Sequence, residues 1–197
     1  SLGAARVMAI TFTRAAAQEM RERLHQLLGP NAQAIRLFTF HGLGYRQRWA
    51  HPPVGIVSDA ESHGLLLRAK ERAGSTLSLD ALTEAVSRFK RHLDPETLAE
   101  GSEDAFAVFT EYQRAMKAHG VMEMDDLMLA LLRGYQDGSI KPFDLGAMLI
   151  DEFQDCDEVQ LRVALHYGQR DTRVHVVADD DQSIYGFRAG LGFHAID

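Results

Sequence analysis

The tetrapeptide Ala147-Met148-Leu149-Ile150 is apolar at every position and gives way, with no spacer, to Asp151-Glu152. A short run without a polar residue suits a strand covered on both faces, as in parallel sheets, because alternation is needed only where one face meets water. Residues 174–178, apolar except for His175, also read as a buried strand and lead into the triplet Asp179-Asp180-Asp181. In open parallel sheets, ligands bind beyond the carboxyl ends of the strands, so both acidic tips stand where chemistry is expected.

The rest of the chain fits such a sheet at its two ends. Residues 7–12 read as a strand ending at Thr13, residues 14–28 are rich in helix formers, and Gly29-Pro30 stops them. Residues 34–40 form a second aliphatic and aromatic run that leads through His41-Gly42 into a helical stretch at 43–50, ended by Pro52-Pro53. Residues 158–167 read as a helix between the two acidic strands. Alternating strand and helix predicts an α/β fold, a parallel sheet flanked by helices.

The middle of the chain differs. Between residues 58 and 136 the apolar positions recur every three or four residues, with no convincing strand, so an all-helical insertion is expected. Phe106, Phe109, Tyr112 and Met116 share one face of a helix ending near Gly120, and Asp125 or Asp126 is placed to cap the next. The expected organisation is 1–57 and 137–197 as two parts of one sheet domain, with 58–136 as a helical subdomain between them.

Composition narrows the class. Hydrophobic residues make up 46% and charged residues 25% of the 197, which is ordinary for a globular domain and excludes intrinsic disorder. A single cysteine, Cys156, excludes an internal disulfide and a cysteine zinc site. The net charge of −7 excludes a uniformly basic nucleic-acid coat but allows a local basic groove. No apolar run approaches the roughly 20 residues a bilayer span requires, and no charged-then-apolar leader precedes Val7, so a cytoplasmic protein without a membrane partner is expected.

Phosphoryl transfer depends on positioning and charge neutralisation, and adjacent carboxylates at a strand tip suit it: one holds a magnesium ion while the other orients water. A bare Asp-Glu pair is also what an ordinary loop presents; Gln154-Asp155 makes the segment more specific. Residues 178–188 offer an amide at Gln182 able to sense a terminal phosphate, aromatics at Tyr185 and Phe187 able to stack on bases, and Arg188 to neutralise phosphate charge. Residues 11–20 run from a strand tip into a helix, where Thr13, Arg14 and free backbone N–H groups would seat a phosphate and Phe12 would stack. Thr13 as a plain helix cap and Phe12 as core remain open at this point. Thr39-Phe40-His41-Gly42 is equally ambiguous, since a lone histidine is more often an ordinary hydrogen-bonded residue.

Taken together and in this order, these segments resemble the UvrD/Rep-type superfamily 1 DNA helicases across nearly the whole chain. Residues 11–20 look like motif Ia, residues 39–42 like motif Ib, Asp151 to Asp155 like a Walker B motif in its DExQD form, and Asp180 to Arg188 like motif III. The family also inserts a helical subdomain here, and Met124-Asp125-Asp126-Leu127 resembles a segment found just before its Walker B strand. The resemblance implies a RecA-like core that uses ATP and Mg2+. Asp151 and Glu152 would hold the magnesium, Glu152 would also activate water, Gln182 would read the terminal phosphate, and Arg188 would couple that site to DNA. Phe12, Thr13, Arg14, Thr39, His41, Tyr185 and Phe187 would contact single-stranded DNA, near a duplex junction in a working motor. The sequence departs from the family pattern at Ala15, often Lys, at Cys156, often Thr, at Gly186, and in the order Ala189-Gly190. None of these removes an assigned group.

No G-x-x-x-x-G-K-[ST] loop occurs in the chain. The resemblance therefore implies an internal fragment of the first motor domain, inert alone and dependent on the remaining motor domains of a longer protein. Two alternatives share the motifs: the motor subunit of a helicase-nuclease, and a non-catalytic DNA-binding module with the same fold.

Overall fold

A computed structural model of the chain describes residues 3–48 and 55–178. In chain order the elements are β1 (Val7–Thr11), α1 (Arg14–Leu28), β2 (Arg36–Thr39), α2 (Phe40–Arg48), β3 (Gly55–Ile56) and α3 (Asp59–Ala73). They continue with α4 (Leu79–Lys90), α5 (Glu103–Ala118), β4 (Val121–Met122), α6 (Met124–Gln136), β5 (Ala147–Ile150), α7 (Glu158–Gly168) and β6 (Arg173–Val176). The chain divides into two compact units: residues 1–48 with 130–197, and residues 49–129. These boundaries fall earlier than the compositional ones at 57/58 and 136/137. The first does so because β3 pairs with β4, so the chain has entered the second unit by Gly55.

Among the described residues, the first unit is built on a four-stranded parallel sheet in the order β2-β1-β5-β6. Its register sets Ile10 beside Phe38 on one side and Ile150 on the other, with Ile150 beside Val176. Met8, Ile10, Met148 and Ile150 share one face and are all but fully buried. Each such side chain contributes about 1.5–3 kcal/mol on leaving water. α7 packs along β6, where a Cβ at Gly168 would lie 3.6 Å from Val174 Cγ2, and the hydroxyls of Tyr135 and Tyr167 meet at 2.9 Å in the buried layer. Asp157 caps α7 with its side chain, and Gln160 reaches back to complete a capping box.

Two strand expectations need correction. β5 is not covered on both faces, for Leu149 is 43% exposed: α1 packs on β1 and β2 and leaves that side of β5 open among the described residues. β6 is not a buried strand either. Among the described residues it pairs with β5 alone, and edge position leaves Arg173, His175 and Val176 exposed.

The second unit packs α3, α4 and α5 around Leu66, Leu82, Phe89, Val108, Tyr112 and Met116. The stripe read from the sequence is present: Phe109, Tyr112 and Met116 are buried, and Phe106 packs edge-on against Phe89 with centroids 5.4 Å apart. The unit is not purely helical, since Val121–Met122 pairs with Gly55–Ile56 as a two-stranded parallel sheet. Two residues are too few for a period of two to show in a sequence. Asp125 and Asp126 lie inside the first turn of α6 rather than before it, and Asp126 caps from within by accepting the Glu123 N–H at 2.9 Å. Among the described residues no helix is long and apolar enough to cross a membrane.

Candidate functional site

Because the four described strands of the first unit are parallel, their carboxyl ends lie on one edge of the sheet. Adjacent strands are about 4.8 Å apart, so the tips of β2, β1 and β5 fall within roughly 10 Å across that edge. Three of the segments singled out from the sequence stand there: residues 11–14, residues 39–42 and residues 151–155.

At the β1 tip, Thr11 is buried and its hydroxyl donates to the Thr13 carbonyl at 3.1 Å, turning the chain out of the sheet. Thr13 is the N-cap of α1: its side-chain oxygen accepts the Ala16 N–H at 3.1 Å and its carbonyl accepts the Ala17 N–H. The cap role and a phosphate seat are compatible, because the first N–H groups of a helix, those of Arg14 and Ala15 here, need no intrahelical partner. Arg14 is exposed and Phe12 half-buried, so neither is consumed by the core.

At the β2 tip the chain enters α2 with no intervening loop. α2 begins at Phe40 rather than near Leu43, which places His41 and Gly42 in its first turn. Thr39 accepts the Gly42 N–H at 3.1 Å, and a Cβ at position 42 would lie 3.2 Å from that same hydroxyl oxygen. Glycine is what allows the threonine to close so tightly on the helix. His41 and Thr39 are both half-buried.

The β5 tip holds the acids. Asp151 donates its backbone N–H to the Ile10 carbonyl at 3.0 Å, Val177 donates to Ile150 at 2.8 Å, and Phe153 donates to Val177 at 2.9 Å. Between these anchors Glu152 takes a left-handed backbone, φ 52° and ψ 45°. A non-glycine residue held there costs on the order of 1–3 kcal/mol and persists where the surroundings over-determine it. Residues Phe153–Asp155 then form one turn of 3-10 helix, with Asp155 donating to the Glu152 carbonyl at 3.0 Å. Phe153, Gln154, Asp155 and Cys156 are buried, whereas Asp151 and Glu152 are half-exposed at the edge.

The donor set suits a magnesium ion. Magnesium is usually held by one or two carboxylates together with water and substrate phosphates, not by a full protein cage. Two half-exposed carboxylates match that pattern, and among the described residues no hydrogen bond or ion pair engages the Asp151 side chain. No cluster of three or more acidic, histidine or cysteine ligands occurs among the described residues.

Burial pushes the Cys156 thiol well above its ordinary value, and the neighbouring Asp157 and Asp155 add to the effect, so this cysteine is held as an inert thiol. Gln154 is the residue at this site to which sequence reasoning gave no role. Its side-chain nitrogen donates to Glu152 Oε2 at 2.7 Å. The DExQD spacing contained the pair, but the contact depends on the left-handed backbone at Glu152, for which the sequence carries no signal. Gln182, Tyr185, Phe187 and Arg188 lie outside the described residues.

A parallel sheet flanked by helices, with an acid pair at the tip of an inner strand and polar turns at the neighbouring tips, is the arrangement of a RecA-like fold. The UvrD/REP helicase N-terminal domain profile matches residues 1–192, and the chain belongs to that family. Among its relatives, UvrD1 of Mycobacterium tuberculosis, an ATP-dependent DNA helicase, is 33% identical over 221 residues, covering 95% of this chain and 28% of the relative. The ATP-dependent DNA helicase PcrA of Leuconostoc citreum is 31% identical, covering 93% of this chain and 27% of the relative. DNA helicase II of Escherichia coli is 31% identical, covering 92% and 28%. The chain thus spans less than a third of the length of the curated relatives it matches.

Proposed function

We propose that this chain is part of the first motor domain of an ATP-dependent DNA helicase that couples hydrolysis to translocation on single-stranded DNA and to duplex unwinding, in repair or recombination. The observation that carries the reading is the arrival of the β1, β2 and β5 turns on one edge of one sheet, with Asp151 and Glu152 at the tip of β5, the strand next to β1.

In this reading Asp151, with Glu152 beside it, holds magnesium. When bound, that ion neutralises charge on the nucleotide phosphates. Glu152 orients the attacking water and takes its proton as the water oxygen bonds to the terminal phosphorus, while the bond from that phosphorus to the bridging oxygen breaks and ADP leaves. Gln182 contacts the terminal phosphate, and Arg188 links it to the DNA side. Phe12, Thr13, Arg14, Thr39 and His41 receive the single strand at the β1 and β2 tips, and Tyr185 and Phe187 stack on its bases, at about 1–3 kcal/mol per stacked base. Stacking is indifferent to base identity, which suits a motor. No phosphate-cradling G-x-x-x-x-G-K-[ST] loop occurs in these 197 residues, so the segment alone is expected to be inert and to bind single-stranded DNA weakly, with affinity falling steeply as salt rises.

The test is DNA-stimulated ATP hydrolysis by the full-length protein that carries this segment. Glu152→Gln should reduce kcat by about 100-fold or more, as expected when a positioned base is removed. A wild-type rate in that variant would refute the catalytic assignment. Hydrolysis by the isolated segment would refute its dependence on the rest of the motor. A full-length protein that binds DNA but never hydrolyses ATP would favour the non-catalytic module.

A further inference from the structure

We infer that Gln154 is a positioning residue for Glu152: its buried amide grips one carboxylate oxygen and leaves the other free to face water. The inference rests on the role proposed above for Glu152.

Three observations meet in this turn. The Glu152 backbone is held in its left-handed conformation by hydrogen bonds on both sides, from Asp151 to Ile10 and from Phe153 to Val177. That fixes where the side chain starts but not where it ends, since its own torsions remain. Gln154 is 2% exposed, packed in the one-turn helix that follows, and its Nε2 lies 2.7 Å from Glu152 Oε2. The orientation of the amide is chemically decided. An ionised carboxylate only accepts, so the NH2 end, and not the carbonyl end, must face it.

An amide suits this place better than a cation. A lysine or arginine would form a full ion pair and weaken the carboxylate as a base, whereas a neutral donor orients it at little cost in basicity. With Oε2 engaged, Oε1 remains for a water proton. A base misplaced by 1 Å can cost about 100-fold in rate, so a tether this short is a plausible determinant of turnover.

The experiment compares Gln154→Met, which keeps length and removes the donor, with wild type in the full-length protein. The expected result is a kcat for DNA-stimulated ATP hydrolysis lowered about 10- to 100-fold, with KM for ATP within about twofold and the melting temperature unchanged. In a Glu152→Gln background the same substitution should cause no further loss, because the group it positions is already gone. A residue that merely filled space would lower both backgrounds alike.

A second pair of variants reads the contact itself. Gln154→Glu alone sets two carboxylates against each other and should lower the melting temperature. Combining it with Glu152→Gln re-forms the hydrogen bond in reverse and should restore stability while leaving hydrolysis absent. Wild-type kcat in Gln154→Met, or no stability gain in the swapped pair, overturns the inference while leaving the role of Glu152 intact. A wild-type rate in Glu152→Gln alone overturns that role instead.

Discussion

Lys90 in the helical unit is the charge whose loss should be felt most. Its side chain is 1% exposed, and its ammonium lies 2.5 Å from Glu123 Oε2 and 2.7 Å from Asp126 Oδ2. Tyr112 completes the arrangement, with its hydroxyl 2.6 Å from Glu123 Oε1 and its ring 5.1 Å from the ammonium. Lys90→Met keeps most of the volume and strands two carboxylates around an apolar group. Removing one partner of a buried pair costs about 3–5 kcal/mol. The lower end applies here, because Glu123 and Asp126 retain 27% and 15% side-chain exposure and can draw in water. For a chain of this size each kcal/mol moves the melting temperature by about 2–4 °C, so the expected drop is about 6–12 °C at pH 7.

The pH dependence follows from Glu123. Burial pushes its carboxyl up, but the Lys90 charge and the hydrogen bonds from Lys90, Ser62 and Tyr112 outweigh burial and leave it below the ordinary 4.5. A depressed carboxyl stabilises fully above its unfolded value, and that contribution is lost as pH falls through the folded value. The gap between wild type and Lys90→Met should therefore be full at pH 7 and narrow below about pH 4.5. Neutralising the stranded acids with Glu123→Gln and Asp126→Asn should restore most of the loss at pH 7. Calorimetric or circular-dichroism melts at pH 7 and pH 4 decide the matter. A Lys90→Met variant within about 2 °C of wild type at pH 7, or an equal gap at both pH values, refutes the electrostatic account.

Two further outcomes are expected. Gly134→Ala, in α6, should destabilise despite a gain of about 1 kcal/mol in helix propensity, because its Cβ would stand 2.5 Å from Ile140 Cδ1. Ile140→Ala, which removes both the Cδ1 and the Cγ1 that would stand 2.5 Å away, should cost less in the Gly134→Ala background than in wild type, and a Gly134→Ala variant that melts above wild type would show that the loop at Ile140 gives way. Cys156 should resist alkylation by iodoacetamide at pH 8 in the folded protein and react once urea unfolds it, since burial disfavours the thiolate. Labelling at the rate of a free thiol under native conditions would contradict that.

What the sequence determined by itself was local in origin. The apolar run Ala147–Ile150, the helix formers after Thr13 and the stripe Phe109, Tyr112, Met116 each declare an element through neighbours a few residues away, and each is present. The alternation of strand and helix was enough to predict a parallel sheet with its polar turns on one edge. Tertiary structure decided what depends on partners distant in the chain. Among the described residues, the order β2-β1-β5-β6 left β6 at an edge and Leu149 of β5 half open, against the reading of β5 and β6 as buried strands. Pairing of β3 with β4 moved the boundary of the helical unit and hid a strand too short to carry a period. The acid pair at the β5 tip was legible as chemistry from its residues alone. The left-handed turn at Glu152 and the grip of Gln154 on its carboxylate were not, because the hydrogen bonds that Asp151 donates to β1 and Phe153 donates to Val177 impose that backbone. A strand tip can be read from its composition, but the direction in which its side chains are held is set by the strands on either side.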